Sequence, residues 1–196
     1  MLANRARGFT IIEMMIAVSI VALLVALALP NFSAWMQNVQ VRNSAESILN
    51  GLQVARATAV KRNTPVEFVL PSLPASDWQV LPAQSPPADP VKDIIQQRSS
   101  AEGGKSASVT ADSKSIAFNG MGWPMTANPD PTNGADPPAT QIDVKTNGTP
   151  DPSIRALRIL INPAGSIRMC DPSDVNDGTG NKAPALPSGD PRRCDS

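Results

Sequence analysis

The stretch GFTIIEMMIAVSIVALLVALALP, residues 8–30, carries one charged side chain, Glu13, in an apolar run from Phe9 to Leu29. As a helix these 21 residues span about 32 Å, close to the roughly 30 Å hydrocarbon thickness of a bilayer. A carboxylate inside such a run is costly without a partner, so Glu13 predicts a functional charge. Arg5 and Arg7 precede the run, and the positive-inside rule predicts a cytoplasmic start and an exported C-terminal part.

Three interpretations of this segment compete. A secretory signal peptide has an apolar region of about 7–15 residues, and Ala26-Leu27-Ala28 imitates its cleavage site, but the run is too long. A plain membrane anchor explains the length but not the glycine before the run. The pattern resembles the class III signal of type IV prepilins and pseudopilins, in which a short basic leader ends in glycine, phenylalanine follows the cut, and the fifth mature residue is glutamate.

Three residues carry this resemblance: Gly8, Phe9 and Glu13. It implies a leader peptide at residues 1–8, cleavage by prepilin peptidase between Gly8 and Phe9, and a mature amine that is methylated. It also implies that Glu13 pairs with a mature N-terminal amine, often that of a neighbouring subunit, during assembly. Such a pair makes chemical sense, because a buried carboxylate needs a cation and hydrogen-bond donors.

Pro30 follows the transmembrane segment predicted at residues 9–29 and stands at the 22nd position after the cut. A proline inside a helix removes one backbone hydrogen bond and clashes with the preceding turn, at a cost of about 3 kcal/mol. We therefore expect a hinge at Pro30 between the anchor and an exported stem helix, residues 30–62.

Composition limits the chemistry of the 196 residues. Equal numbers of basic and acidic side chains, 17 each, indicate no acidic or basic partner, and the length fits one exported domain. The absence of histidine and tyrosine removes the commonest general base and metal ligand. The two cysteines, Cys170 and Cys194, lack metal-site spacing, and a disulfide in an oxidising compartment is the better interpretation. We predict no enzyme activity, no cofactor and no metal.

The stem contains an apolar stripe at spacings of three and four, interrupted once between Val39 and Ala45. The stripe predicts a helix face that packs under a sheet. Its members are Phe32, Trp35, Val39, Ala45, Leu49, Leu52, Ala55 and Ala59.

After residue 63 the periodicity changes to short β-like runs separated by turn residues, which indicates an α+β fold with an antiparallel sheet in residues 63–196. Exposed loops are expected at the proline-rich stretches 81–90, 127–138 and 147–152. The predicted strands are residues 66–70, 78–81, 115–118, 140–145, 156–161 and 166–170.

The last two runs predict a hairpin with a defined register. A three-residue loop, Pro163-Ala164-Gly165, with Gly165 in the left-handed conformation would pair Ile161 with Ile167 and Ile159 with Met169. All four apolar side chains then share one face. A two-residue loop would place Ile159 opposite a charged residue, so the three-residue loop is favoured.

Together with the leader and stem, the stretches LQVARATAVKRNTPVEF (52–68), IAFNGMGWP (116–124) and RALRILINPAGSIRMC (155–170) resemble the GspH/FimT family of minor pilins and pseudopilins. This resemblance implies a pilin-like fold with a C-terminal hairpin, a disulfide-closed tail and no catalytic activity. It implies a single-pass inner-membrane protein with a periplasmic domain that primes a type IV pilus, is assembled into it, or sits near its tip. The implied partners are prepilin peptidase, major and minor pilins and the inner-membrane assembly platform.

Two alternatives remain open: a minor pseudopilin of a type II secretion system, and a DNA-binding minor pilin for natural transformation. In the three-residue-loop register, Arg158 and Arg168 share the non-core face, and the disulfide would bring Arg192 and Arg193 towards them. Against DNA binding, residues 151–196 hold six basic and six acidic side chains and no aromatic platform. Ser166 stands where DNA-uptake members of the family carry an arginine. The DNA interpretation is therefore less favoured than pilus assembly.

Overall fold

The computed structural model describes residues 8–84, 93–132, 138–147, 154–172 and 190–194, and at residues 28–31 it describes only the backbone. Its longest element is the N-terminal helix α1 (Ile11–Arg62). Thr10 caps its start in extended backbone. Asn63 ends it in the left-handed conformation (φ 50°), where its N–H bonds back to the last turn. Lys61 and Arg62 in that turn suit the negative end of the helix dipole.

The strands form two four-stranded antiparallel sheets with the orders β3-β2-β1-β5 and β4-β6-β7-β8. The predicted α+β class is confirmed, and all six predicted strands are present with small changes at their ends. Two features were not predicted: the second sheet, and the short strands β3 and β4. The strands are β1 (Val66–Val69), β2 (Trp78–Pro82), β3 (Gln96–Arg98), β4 (Ala107–Ala111), β5 (Ser115–Phe118), β6 (Gln141–Thr146), β7 (Leu157–Ile161) and β8 (Ile167–Cys170).

Both sheets pack on the second half of α1, which supplies a stripe of fully buried side chains. Gly51 belongs to this stripe, and the position requires glycine because a Cβ there would come within 2.7 Å of the Phe68 ring and 3.0 Å of the Trp78 ring. These two rings stack with their centroids 5.8 Å apart, and the Trp78 indole N–H donates to the Ser47 hydroxyl at 2.8 Å. The buried helix residues include Val41, Ala45, Ile48, Leu52, Ala55 and Ala59.

The predicted stripe is correct from Ala45 onward and wrong for Phe32 and Trp35, which are 59% and 58% exposed. The reason is the six-residue interval between Val39 and Ala45. At about 100° per residue, six residues rotate the surface by about 240° beyond a full turn. The two aromatic side chains therefore lie on a different face of the helix from the core stripe.

The C-terminal hairpin has the predicted register: Ile161 opposes Ile167, and Ile159 opposes Met169. Gly165 closes the three-residue loop at φ +79°. A side chain there would also collide with the carbonyl oxygen of Gly122, so the glycine is needed for close approach as well as for the turn.

Polar side chains at the start of the packed region of α1 bind loops of the β-rich part of the chain after residue 63, which is called the head below. The amide oxygens of Gln37, Asn38 and Gln40 accept hydrogen bonds at 2.9–3.1 Å from Thr146 Oγ1, Arg155 N and Ser106 N respectively. The predicted loop 81–90 overlaps strand β2, which continues to Pro82. In the predicted loop 127–138, the described residues 127–132 form bends and a turn. Most of the remaining loop residues lie outside the described part of the chain.

Candidate functional site: the N-terminal helix and the C-terminal arginines

The start of α1 contains the predicted processing and assembly residues. Gly8 and Phe9 lie in exposed, non-helical backbone directly before the helix. The Thr10 hydroxyl accepts a hydrogen bond from the Glu13 backbone N–H at 3.3 Å, which fixes the cap. The first turn thus carries a single acid at the positive end of the helix dipole.

The Glu13 carboxylate is exposed, and it makes no hydrogen bond or ion pair with another described residue. The helix around it exposes its apolar side chains on every face from Ile11 to Leu27. A helix that is apolar all round needs an apolar environment, which is a membrane or a protein core. In either environment the isolated carboxylate needs a cationic partner.

The two parts of α1 differ in direction. Ile11–Leu27 and Phe32–Arg62 are inclined to each other by 43°, and Pro30 lies between them. In the described part of the chain, no single unbent helix has the length and apolarity of a membrane span. The bent pair meets both requirements when taken together.

Arg158 is not the surface residue that the sequence interpretation required for DNA contact. It lies opposite Asp143 across strands β6 and β7, and its Nε and Nη2 bond to the two carboxylate oxygens at 2.6 and 3.0 Å. The two side chains are 11% and 15% exposed. The physical reason is the cross-strand acid, whose position depends on a register that the sequence did not reveal.

The other candidate arginines are also bound locally. Arg168 Nη2 donates to the Cys194 carbonyl oxygen at 2.9 Å, and Arg192 forms two side-chain hydrogen bonds with Asp190. The backbone at Arg193 forms an isolated parallel β-bridge with the backbone at Asp171. The guanidinium groups of Arg158, Arg168 and Arg192 are thus each engaged by a local oxygen, and DNA contact by the four arginines stays a prediction.

The C-terminal tail is fastened by the predicted disulfide, Cys170–Cys194, whose Cα atoms are 5.0 Å apart. An ion pair that was not predicted, Arg155 to Asp171 at 2.8 Å, lies beside it. The side-chain hydrogen bond from Arg192, followed by its backbone N–H, lowers the pKa of Asp190 from 3.8 to about 2, and the same pair raises the pKa of Arg192.

The described residues contain no group of three or more histidine, cysteine, aspartate or glutamate side chains that could hold a metal ion. What the described site does contain is an apolar helix with one acid at its start, joined to a disulfide-closed two-sheet head. This combination defines the class of pilin-like subunits, the minor pilins and pseudopilins.

Comparisons with known proteins give the family. The family described as Type II transport protein GspH matches residues 44–178, and the prokaryotic N-terminal methylation motif matches residues 3–29. This chain belongs to the GspH family, and it is a minor pilin or pseudopilin. The family consists of structural subunits, and membership implies contact with other pilins and with assembly machinery. The methylation motif and the N-terminal helix fit a membrane-anchored pilin.

Two solved structures are similar at low identity. The type IV minor pilin FimU of Pseudomonas aeruginosa is 13% identical with a TM-score of 0.48, and the match covers 66% of this chain and 87% of FimU. The minor pseudopilin EpsH from the Type 2 Secretion System of Vibrio cholerae is 11% identical with a TM-score of 0.46, over 67% and 97% of the two chains. No curated protein sequence matches this chain.

Proposed function

We propose that this chain is a minor pilin of a type IV pilus that prepilin peptidase cuts between Gly8 and Phe9. Residues 1–8 are the leader, and residues 9–29 span the inner membrane once. The observation that carries the proposal is the exposed Glu13 carboxylate, which has no described partner in the first turn of an all-round apolar helix. In the fibre, the mature amine of a neighbouring subunit supplies the missing cation.

The remaining parts of the chain follow from this anchor. Residues 30–62 form the exported stem, and Pro30 is the hinge that lets the anchor change direction relative to it. Residues 63–196 form the periplasmic head, which primes the pilus or joins it near the tip. The 43° inclination between the two parts of α1 supports the hinge. The partners in this proposal are prepilin peptidase, the other major and minor pilins and the inner-membrane assembly platform.

N-terminal sequencing of the membrane-extracted protein tests the processing site. The expected mature chain begins at Phe9 and has 188 residues, which is 196 minus the eight-residue leader. Gly8→Val should leave the leader attached, whereas Ala28→Val, at the competing A-x-A site, should be processed normally. A mature chain that begins at Leu29 would contradict the proposal and support an ordinary signal peptide.

A second candidate is a minor pseudopilin of a type II secretion system. It is favoured by the description of the matched family as a type II transport protein. A deletion strain scored for piliation, secretion and transformation separates the candidates. Loss of pili with normal secretion supports the pilus proposal, and loss of secretion with normal pili supports the pseudopilin.

Neither DNA uptake nor catalysis is part of the proposal. Phosphate binding needs accessible cationic groups. Here the Arg158 guanidinium is buried against Asp143, and the Arg192 guanidinium, although exposed, is neutralised by its ion pair with Asp190.

A further inference from the structure

Phe32 and Trp35 form an exposed aromatic pair on α1. Their ring centroids are 5.7 Å apart, and the rings are tilted by 38°. Both side chains are more than half exposed, so the described part of the head does not cover them. They lie outside the apolar run of residues 9–29 and also outside the buried stripe that begins at Val41. The pair therefore belongs neither to the proposed membrane span nor to the core of the head.

The position of the pair along the helix agrees with the edge of a bilayer. Phe32 and Trp35 follow Leu29 by about 4.5 and 9 Å at about 1.5 Å per residue. With the stem inclined by 43° to the anchor, the height of Trp35 above Leu29 falls to about 6.6 Å. The headgroup layer on each side of the hydrocarbon is about 5–7 Å thick. With residues 9–29 spanning the bilayer along its normal, the backbone positions of both residues therefore fall at headgroup height.

The chemistry along this part of α1 changes in the order that a membrane interface requires. Below the pair the helix is apolar, and above it Gln37, Asn38 and Gln40 bind the head through their amide groups. Arg42 lies two turns above Trp35 on the same face; it is largely exposed and pairs with Glu46. Tryptophan joins an apolar ring to an N–H donor, and it is enriched where hydrocarbon meets headgroups.

We propose that Phe32 and Trp35 bind the headgroup layer of the outer leaflet and hold the head at a fixed height above the membrane before assembly. The proposal rests on the membrane insertion proposed above. The occupant of this face is lipid, because the pair continues directly from the apolar anchor and lies within one headgroup thickness of its end. Another pilin is the competing occupant that the test must separate.

The test uses the full chain in nanodiscs of phosphatidylethanolamine and phosphatidylglycerol, with lipids brominated near either the headgroup end or the tip of the acyl chain. The chain has three tryptophans, so quenching of Trp35 alone removes up to about one third of the emission. Trp78 is buried, and Trp123 lies beside Gly122, whose carbonyl oxygen binds Arg56 at the far end of α1. Neither of them should respond to brominated lipid.

We expect quenching to be stronger from the shallow bromine than from the deep one. Trp35→Phe should abolish it, and the matched control Trp123→Phe should retain it, as up to about half of the emission of the two remaining tryptophans. Both positions are exposed, so neither change disturbs the core.

Several outcomes would overturn the inference. If the protein co-elutes with nanodiscs but Trp35 is not quenched, or is quenched more strongly by the deep bromine, the aromatic pair is not at the interface and membrane anchoring still stands. If Trp35 responds only to added major pilin, the face is a subunit contact. If the chain does not co-elute with nanodiscs, the proposed anchoring fails as well.

Discussion

Replacing Asp143 with alanine should lower the free energy of unfolding of the head by about 3 kcal/mol. Removal of one partner from a buried ion pair costs about 3–5 kcal/mol, because the other charge stays buried without compensation, whereas exposed pairs contribute about 0–1 kcal/mol. The Arg158–Asp143 pair is bidentate, at 2.6 and 3.0 Å, and its side chains are 11% and 15% exposed. This residual contact with water places the expected cost at the lower end of the buried range.

For a domain of this size, about 3 kcal/mol corresponds to a Tm decrease of about 6–12 °C. Thermal and urea unfolding of the full chain in detergent micelles measures it by circular dichroism. The matched control is Glu46→Ala, which removes the partner of Arg42 in a pair whose side chains are 71% and 50% exposed, and should cost about 0.5 kcal/mol or less. Asp143→Leu combined with Arg158→Met should recover most of the loss. If Asp143→Ala behaves like Glu46→Ala, the argument from burial is wrong.

Three further predictions concern the tail and the anchor. Cys170 and Cys194 close a loop of 25 residues, counting both ends of a sequence separation of 24, so replacing both with serine should lower the free energy of unfolding in urea by up to about 3.5 kcal/mol. Thiol labelling of the unreduced, denatured chain should find no free thiol, and two free thiols would refute the bond. The pKa of Asp190 is about 2, below its ordinary 3.8, so its contribution to stability is present above pH about 3.8 and is lost as the pH falls to about 2. In Arg192→Gln, carboxyl NMR should show the pKa of Asp190 rising towards 3.8. An unchanged value would show that the side-chain hydrogen bond from Arg192 is not the cause of the low pKa. Glu13→Ala should be processed and inserted, but immunoblots should show it depleted from sheared fibres. The control Ser19→Ala, which removes only a local hydroxyl-to-carbonyl hydrogen bond at 2.8 Å, should be incorporated normally. Equal incorporation of both variants would show that Glu13 has another role.

The parts of the fold that could be predicted are those that a local pattern specifies. The register of the C-terminal hairpin followed from the two-residue periodicity of Ile159, Ile161, Ile167 and Met169, since a shift of one residue would expose all of them. Strand β3 was missed because QQR contains no apolar residue. Strand β4 was missed although ASVTA alternates apolar and polar residues, because two of its three apolar residues are alanine, which is depleted in strands. The division into two sheets depends on which distant strands pair, and no local pattern encodes that choice.

The candidate site shows the same limit. The Gly8-Phe9-Glu13 spacing is local and was readable from sequence, as was the pairing of the only two cysteines. The fate of Arg158 was not readable, because its partner Asp143 lies on another strand, 15 residues earlier. The exposure of Phe32 and Trp35 could have been predicted by adding the rotation of about 100° per residue over the interval from Val39 to Ala45, which separates their face from the core stripe.

The packing of both sheets on α1 has a mechanical consequence. No described strand of one sheet approaches a strand of the other within 8 Å between Cα atoms, whereas α1 contacts strands of both. Tension that enters the head along α1 therefore acts on each helix–sheet contact parallel to the contact surface, as shear. Contacts loaded in shear must break together, unlike a hairpin peeled open from one end. Under load α1 carries the tension through the head, and each sheet is held to it by its own helix–sheet contacts.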